Sequence, residues 1–286
     1  MQINPLSLNS LIEIRQTSHK ELSRVANFLD LAPMVHRHLD WHPTLDWIDD
    51  SPFLILSKAD EILSIFAAPP DPPGIAWIRC FAVGKKLSPD SVLNPILDYV
   101  QPVLDSLNAK LIAVGLEDWF TRVLIKNGFS TRQKIVVLEW DHHHPSVYNP
   151  MQEVHIRPME EADISAISEV DRLSFEPIWV NSPSSLYLAY LQSAHTLVAE
   201  VDGKIVGYEL STASQFAAHL ARLAVFPEYR NHSIGHILVS EMLDFYSRRG
   251  VIQITVNTQN DNLASLHLYK SLGFKLTSEE YPVLNK

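Results

Sequence analysis

The sequence predicts a mixed α/β protein (α+β, mixed sheet) in which one arrangement of strands and helices occurs twice. Three observations carry this expectation. The chain has 286 residues, and at roughly 100–200 residues per domain two domains are the natural reading. Shifting the chain by 142 lays Ile14-Arg15 on Ile156-Arg157, Asp60 on Asp202, and Ala82-Val83 on Ala224-Val225. After a three-residue slip, Asn127-Gly128-Phe129 falls near Leu272-Gly273-Phe274. Between these matches the same strand and helix patterns recur in the same order.

Each copy opens on an apolar strand carrying Ile-Arg, followed by helical sequence. Two strands come next, 53–57 and 61–67 in the first copy and 196–201 and 204–211 in the second. Tight turns holding Asp60 and Asp202-Gly203 separate the members of each pair, as a hairpin requires. A third strand ends at Val83 or Val225. A long helix follows, then a strand (111–115 and 251–256), a short helix, and a last strand after Gly-Phe. The polar run Asp141-His142-His143-His144-Pro145, continuing to Asn149-Pro150, marks a linker. The expected division is a first domain at 1–141, a linker at 142–153 and a second domain at 154–286.

Composition narrows the function. Hydrophobic residues make up 46% of the chain and charged residues 20%, the balance of a globular protein with a real core. There are 23 Lys and Arg against 33 Asp and Glu, a formal charge of −10. Residues 1–144 hold 13 basic and 17 acidic side chains and the remainder 10 and 16. Both halves are acidic, which argues against nucleic acid or anionic lipid as the main partner. The single cysteine, Cys80, excludes an internal disulfide and any cysteine-based zinc cluster. No apolar run approaches the ~18 residues of a membrane span, and the start MQINPLSLNS shows no secretory pattern. A cytoplasmic protein with no membrane or nucleic-acid partner is expected; its oligomeric state is not readable.

Chemistry concentrates in the second copy. Residues 220–225 read as an apolar strand that Pro227 stops, because proline cannot donate a ladder hydrogen bond. A turn with Arg230, Asn231, Ser233 and Gly235 leads into a helix running to Arg249. Its residues Ile234, Leu238, Met242 and Phe245 share one face. A strand, a loop and a helix N-terminus make an anion site, since free N–H groups converge there and the dipole adds positive potential. Gly235 leaves room for a diphosphate, and Arg230 offers a guanidinium. After the strand 251–256 comes a polar loop, Asn257 to Asn262, rich in capping residues. The helix 263–272 then ends at Gly273.

The run Arg230-x-x-Ser233-x-Gly235 resembles the acyl-CoA pyrophosphate loop of the GNAT superfamily of N-acetyltransferases. The run Asn262-x-x-Ser265-x-x-Leu268-Tyr269-x-x-Leu272-Gly273-Phe274 resembles that family's other end. The two together cover roughly residues 154–286. The resemblance implies two tandem GNAT-like acyl-CoA N-acyltransferase domains and acetyl-CoA as co-substrate. It implies that the strand holding Leu223 and Val225 pairs with the pantetheine arm, the Val225 N–H facing the thioester oxygen. Arg230, Asn231, Ser233, Ile234, Gly235 and His236 would hold the diphosphate. Asn262 and Ser265 would contact the cofactor, and Tyr269 would protonate the departing thiolate as general acid.

The family prefers glycine where Ser233 stands. Either the torsion there is ordinary, or Ser233 caps the helix and its hydroxyl reaches a phosphate or a free amide. A positive φ would strain serine by ~1–2 kcal/mol. The general base is open between Glu209, on the strand 204–211, and His219.

In the first copy the equivalent positions have changed. Ser88 stands at the place of Arg230, Leu93 at that of Gly235, Glu117 at that of Asn262 and Leu124 at that of Tyr269. A leucine cannot protonate a thiolate, so the first copy is expected to be degenerate. The arrangement is similar to that of the mycothiol synthases, which also have one active half. His36, His38 and His42 have ligand-like spacing, but Pro43 interrupts the segment and the family needs no metal. They are expected to line or cover the acceptor cleft, and no metal is expected. The leading expectation is direct transfer of an acetyl group to a primary amine, of a small molecule or a peptide, in a ternary complex. The alternatives are a non-catalytic acyl-CoA sensor or interaction module, and transfer of a longer acyl group.

Overall fold

The computed structural model describes residues 12–142 and 154–286. The expected linker therefore lies almost wholly outside the described residues. His142, its one described member, donates from Nε2 to the Ile252 carbonyl (2.8 Å) and packs on Trp140. Contacts divide the chain into two compact units, Met1–Arg132 with Pro282–Lys286, and Gln133–Tyr281.

Unit 1 contains β1 (Ile12–Gln16), α1 (Leu22–Leu31), β2 (Met34–Arg37), β3 (Phe53–Lys58), β4 (Glu61–Ala67), β5 (Ile75–Trp77), β6 (Cys80–Val83), α2 (Pro89–Ser106), β7 (Lys110–Val114) and α3 (Asp118–Lys126). Its main sheet has the order β1-β3-β4-β6-β2. β5 lies parallel to β7, and Val283–Asn285 lie antiparallel to β7 on the other side. Both faces of β3 are buried. Leu54 and Leu56 face a core with Phe66, Phe81, Leu93 and Phe120. Phe53 and Ile55 face another with Val25, Leu29 and Trp47. Each such fully buried side chain is worth ~1.5–3 kcal/mol, which explains the unbroken apolar run. Two features differ from expectation. The third strand is split into β5 and β6, and the strand β2 lies where helical sequence was expected.

Unit 2 contains β8 (Ser130–Trp140, from Gln133), β9 (His155–Pro158), α4 (Ile164–Ser174), α5 (Pro183–Gln192), β10 (His195–Val201), β11 (Lys204–Ala213), β12 (Ala217–Val225), α6 (Ile234–Ser247), β13 (Gln253–Gln259), α7 (Leu263–Ser271) and β14 (Phe274–Asn285, to Tyr281). The strand order is β14-β8-β13-β12-β11-β10-β9. Asp202 (φ 51°) and Gly203 (φ 75°) make the expected hairpin turn. The spatial units do not follow the order of elements along the chain. β8 comes from the first copy yet pairs with β13 through Ile135–Glu139, while the last residues of β14 fold with unit 1. Among the described residues, no helix is long and apolar enough to cross a membrane.

Candidate active site

The site in unit 2 begins with unequal pairing along β12. On one edge β12 pairs antiparallel with β11 from Ala218↔Ala213 to Val225↔Gly207. On the other it pairs parallel with β13 only from Ala217↔Gln253 to Leu220↔Val256. Between these regions Leu210 faces Arg222 and Ser211 faces Leu220, so Ala221 is an extra residue. Such a bulge bends and twists its strand, and from there β12 leaves β13. Phe226 N–H donates to the Val206 carbonyl at 2.8 Å. Antiparallel alternation therefore turns the N–H groups of Leu223 and Val225 away from β11, toward the opening gap. The Val225 carbonyl on that edge accepts from Ser174 Oγ (3.1 Å) and Arg230 Nε (3.3 Å).

The loop after β12 closes one end of the gap. Asn231 (φ 64°) and Ser233 (φ 65°, ψ 7°) both adopt left-handed backbone. The first helical bond into α6 runs from Ile237 N–H to the Ser233 carbonyl at 2.9 Å. The N–H groups of Ile234, Gly235 and His236 precede it and have no acceptor within the helix, so they face outward as a concave donor set. Ser233 occupies the N-cap position, but its side chain makes no capping bond. The torsion is thus the glycine-favouring one and not an ordinary one, and Ser233 holds the N-cap position without its hydroxyl capping an amide.

Arg230 also differs from expectation. Its Nε and Nη2 donate to the carbonyls of Val225 and Ser174 (2.9 Å), so it ties the loop to β12 and α4 rather than reaching freely for an anion. Burial lowers the His236 pKa, and His236 Nδ1 lies 3.3 Å from Ser240 Oγ. His236 thus contributes its amide rather than a positive charge. A Cβ on Gly235 would meet Leu268 Cδ2 at 3.3 Å, and Val225 and Leu223 side chains at 3.8 and 3.9 Å. The glycine therefore also lets α6 and α7 converge over β12. This donor set and its tight cradle suit the diphosphate and amide-bearing arm of an acyl-CoA.

Asn262 and Ser265 act together at the start of α7. Asn262 Oδ1 accepts from Ser265 N–H at 3.2 Å, and its amide donates to Gln259 Oε1 at 3.3 Å. This is helix capping, and it fixes where α7 starts. Two turns later Tyr269 is only 5% exposed and packs on Phe274. Burial raises its pKa, with Arg222 pulling weakly in the other direction. Its hydroxyl stays protonated at working pH, and none of the described residues hydrogen-bonds it. A protonated, uncommitted phenol is what a general acid requires.

Glu209 does not fit its expected role as a base meeting the amine. It is 0% exposed, on the sheet face covered by α6. Its Oε2 lies 3.1 Å from His195 Nδ1, while Oε1 makes no hydrogen bond within normal geometry among the described residues. Burial raises its pKa, with His195 opposing. A carboxyl without exposed surface cannot receive a proton directly from an incoming amine. His219 is committed to Thr255 Oγ1 at 2.8 Å, and burial lowers its pKa.

A buried polar network escaped the sequence reading. Asp171 on α4 accepts from the Tyr208 hydroxyl (2.5 Å), Arg222 Nε (2.8 Å) and the Asn181 amide (2.8 Å). Arg222 also donates to the Trp179 carbonyl and covers the Phe175 ring at 3.7 Å. Burial opposes the Arg222 charge, but Asp171 and Tyr208 more than offset it and raise its pKa. This network fixes α4 against the bent part of β12. The one sequence signal was an arginine alternating with Leu220 and Ala224 inside a strand.

His36, His38 and His42 of the first copy pack against aromatic rings, His42 on Trp47 at 4.6 Å. His36 is fully buried, its Nδ1 2.7 Å from Glu117 Oε2 and its ring stacked on Phe120; His38 stacks on Trp77. Among the described residues no group of three or more His, Cys, Asp or Glu could hold a metal ion.

A family model for the acetyltransferase (GNAT) family matches residues 164–274. The N-alpha-acetyltransferase RimI of Mycobacterium tuberculosis is 32% identical over 130 residues, 43% of this chain and 78% of the relative. Two solved structures are similar in fold over nearly the whole chain. The GCN5-related N-acetyltransferase from Sphaerobacter thermophilus matches with a TM-score of 0.60 at 14% identity, covering 96% of this chain and 95% of that one. A tandem GNAT protein from the clavulanic acid biosynthesis pathway matches with a TM-score of 0.62 at 12% identity, covering 96% and 98%. The chain belongs to the GNAT family of acetyltransferases, which use acyl-CoA, and its fold over nearly its whole length is that of tandem GNAT-like units.

Proposed function

We propose that this chain is an acetyl-CoA-dependent N-acetyltransferase whose second copy, 154–286, passes an acetyl group directly to a primary amine in a ternary complex. The first copy, 1–141, and the linker, 142–153, precede it, and the protein acts in the cytoplasm. The observation that carries this reading is the edge of β12 beyond Leu220, where the Val225 N–H faces a gap that no strand among the described residues fills. The amides of Ile234, Gly235 and His236, in a loop shaped by Asn231 and Ser233 and tied down by Arg230, hold the diphosphate. Leu223 and Val225 align the arm, and the capped start of α7, Asn262 and Ser265, borders it. The co-substrate supplies an activated thioester. As the amine nitrogen bonds to the acyl carbon, the Val225 N–H donates to the oxygen where negative charge grows. Tyr269 gives its proton to the sulfur as the carbon–sulfur bond breaks. With Glu209 buried and His219 committed, the amine proton leaves to water.

The name of the mycobacterial relative, an N-alpha-acetyltransferase, favours the α-amine of a peptide as acceptor over a side-chain amine. Thiol release from acetyl-CoA should be followed across short peptides with free N-termini, polyamines and amino sugars. Turnover with one class is expected. Binding of acetyl-CoA with no thiol released across the panel would leave only a holding module.

A further inference from the structure

The two copies treat the same strand edge in opposite ways. At the shift of 142, Val83 corresponds to Val225 and Ile75 to Ala217. In both copies the parallel part of the strand starts at this shared register, Ile75↔Lys110 in unit 1 and Ala217↔Gln253 in unit 2. In both, the residue after the valine donates back into the sheet: Gly84 N–H to the Leu63 carbonyl at 2.9 Å, Phe226 N–H to the Val206 carbonyl at 2.8 Å. The N–H groups of Val83 and Val225 therefore point to the same side, away from the hairpin. In unit 2 no strand among the described residues pairs with that side beyond Leu220. In unit 1 it is filled by β2, with Met34 facing Val83, Val35 facing Ala82, His36 facing Phe81 and Arg37 facing Cys80.

We propose that β2 is an internal plug: residues 34–37 occupy the slot that an acyl-CoA arm takes in a GNAT unit, so that unit 1 excludes the cofactor and the chain binds one coenzyme A, in unit 2. The inference rests on the reading of unit 2 given above. Three further observations in unit 1 agree with it. His36, carried inward by β2, pairs with Glu117 and stacks on Phe120 at 3.8 Å, filling the space beside α3. The tip of α2 is closed as an anion site. Ser88 Oγ accepts from Ser91 N–H, Pro89 has no N–H, and Asp90 adds a negative charge to the first turn. Leu124, at the place of Tyr269, is fully buried in the core. Backbone edge, diphosphate tip and acid position are all satisfied by the chain itself.

Titration calorimetry with coenzyme A on the full chain, together with amide hydrogen exchange with and without it, tests the plug. One site per chain is expected. Coenzyme A should slow exchange in segments covering 223–236 and 262–269 and leave 34–37 and 80–90, already slow, unchanged. Gly235→Asp places a carboxylate at the tip of α6 and should abolish binding. Two sites per chain, cofactor-induced protection at 80–90, or one site surviving in a folded Gly235→Asp protein would overturn the proposal. No binding at all would leave the exclusion from unit 1 standing and defeat the reading of unit 2.

Discussion

Arg157 holds Asp163, six residues on, through two parallel N–H···O bonds of 2.7 and 2.9 Å. Arg15 holds Glu21 in the same way, again six residues on and 142 positions earlier, at 2.7 and 2.5 Å. Glu21 and Asp163 each occupy the N-cap position of the following α-helix. In each copy a paired carboxylate thus fixes the passage from first strand to first helix. A bidentate arginine–carboxylate pair gains geometry as well as charge.

Arg157→Ala should cost about 1–3 kcal/mol in urea unfolding at neutral pH. Hydrogen bonding to Arg157 holds the Asp163 pKa below its ordinary value near 3.8. A lowered pKa contributes stability above the unfolded value that is lost as pH falls through the folded one. The wild-type advantage over Arg157→Ala should therefore shrink below about pH 4. An advantage that does not change with pH would mean the pair does not stabilise through charge.

Tyr269→Phe should lower kcat by about 100-fold or more, as loss of a general acid does. It should leave the Kd for coenzyme A unchanged, because no cofactor-holding amide is touched. Unchanged turnover with a defined amine removes Tyr269 from the chemistry.

Ser233→Gly should stabilise the protein by about 0.5–1 kcal/mol. Relief of the left-handed strain, ~1–2 kcal/mol, exceeds the added unfolded-state freedom of glycine. Coenzyme A affinity should hold or improve. A drop in Tm would show that the serine side chain makes a contribution beyond its backbone torsion.

Glu209→Gln should change kcat by less than about threefold, against the 100-fold or more expected on removal of a general base. Its effect should appear in stability. Burial raises the Glu209 pKa, so this group's contribution is complete below the ordinary value near 4.5 and declines as pH rises through the folded value. Stability of Glu209→Gln relative to wild type should accordingly rise with pH across that range. A large kcat loss with a shifted acidic limb of the pH profile would restore Glu209 as the base.

Periodicity, turn chemistry and spacing made much of this protein legible in advance. The doubled order of elements, the hairpin at Asp202-Gly203, the strand end at Val225 and the two helices that follow it come from short-range rules, while the roles of Val225 and Tyr269 come from the family resemblance. Those rules depend on side-chain spacing and local backbone preference, which a sequence displays directly. Only the tertiary structure decided which edges and faces stay open. Met34–Arg37 has no strand signature of its own and becomes β2 because the edge at Val83 accepts it. Glu209 reads as a candidate base on its strand and is buried because α6 covers its face of the sheet. Arg222 and Asp171 meet across 51 residues of chain, a distance over which no pattern in the sequence pairs them.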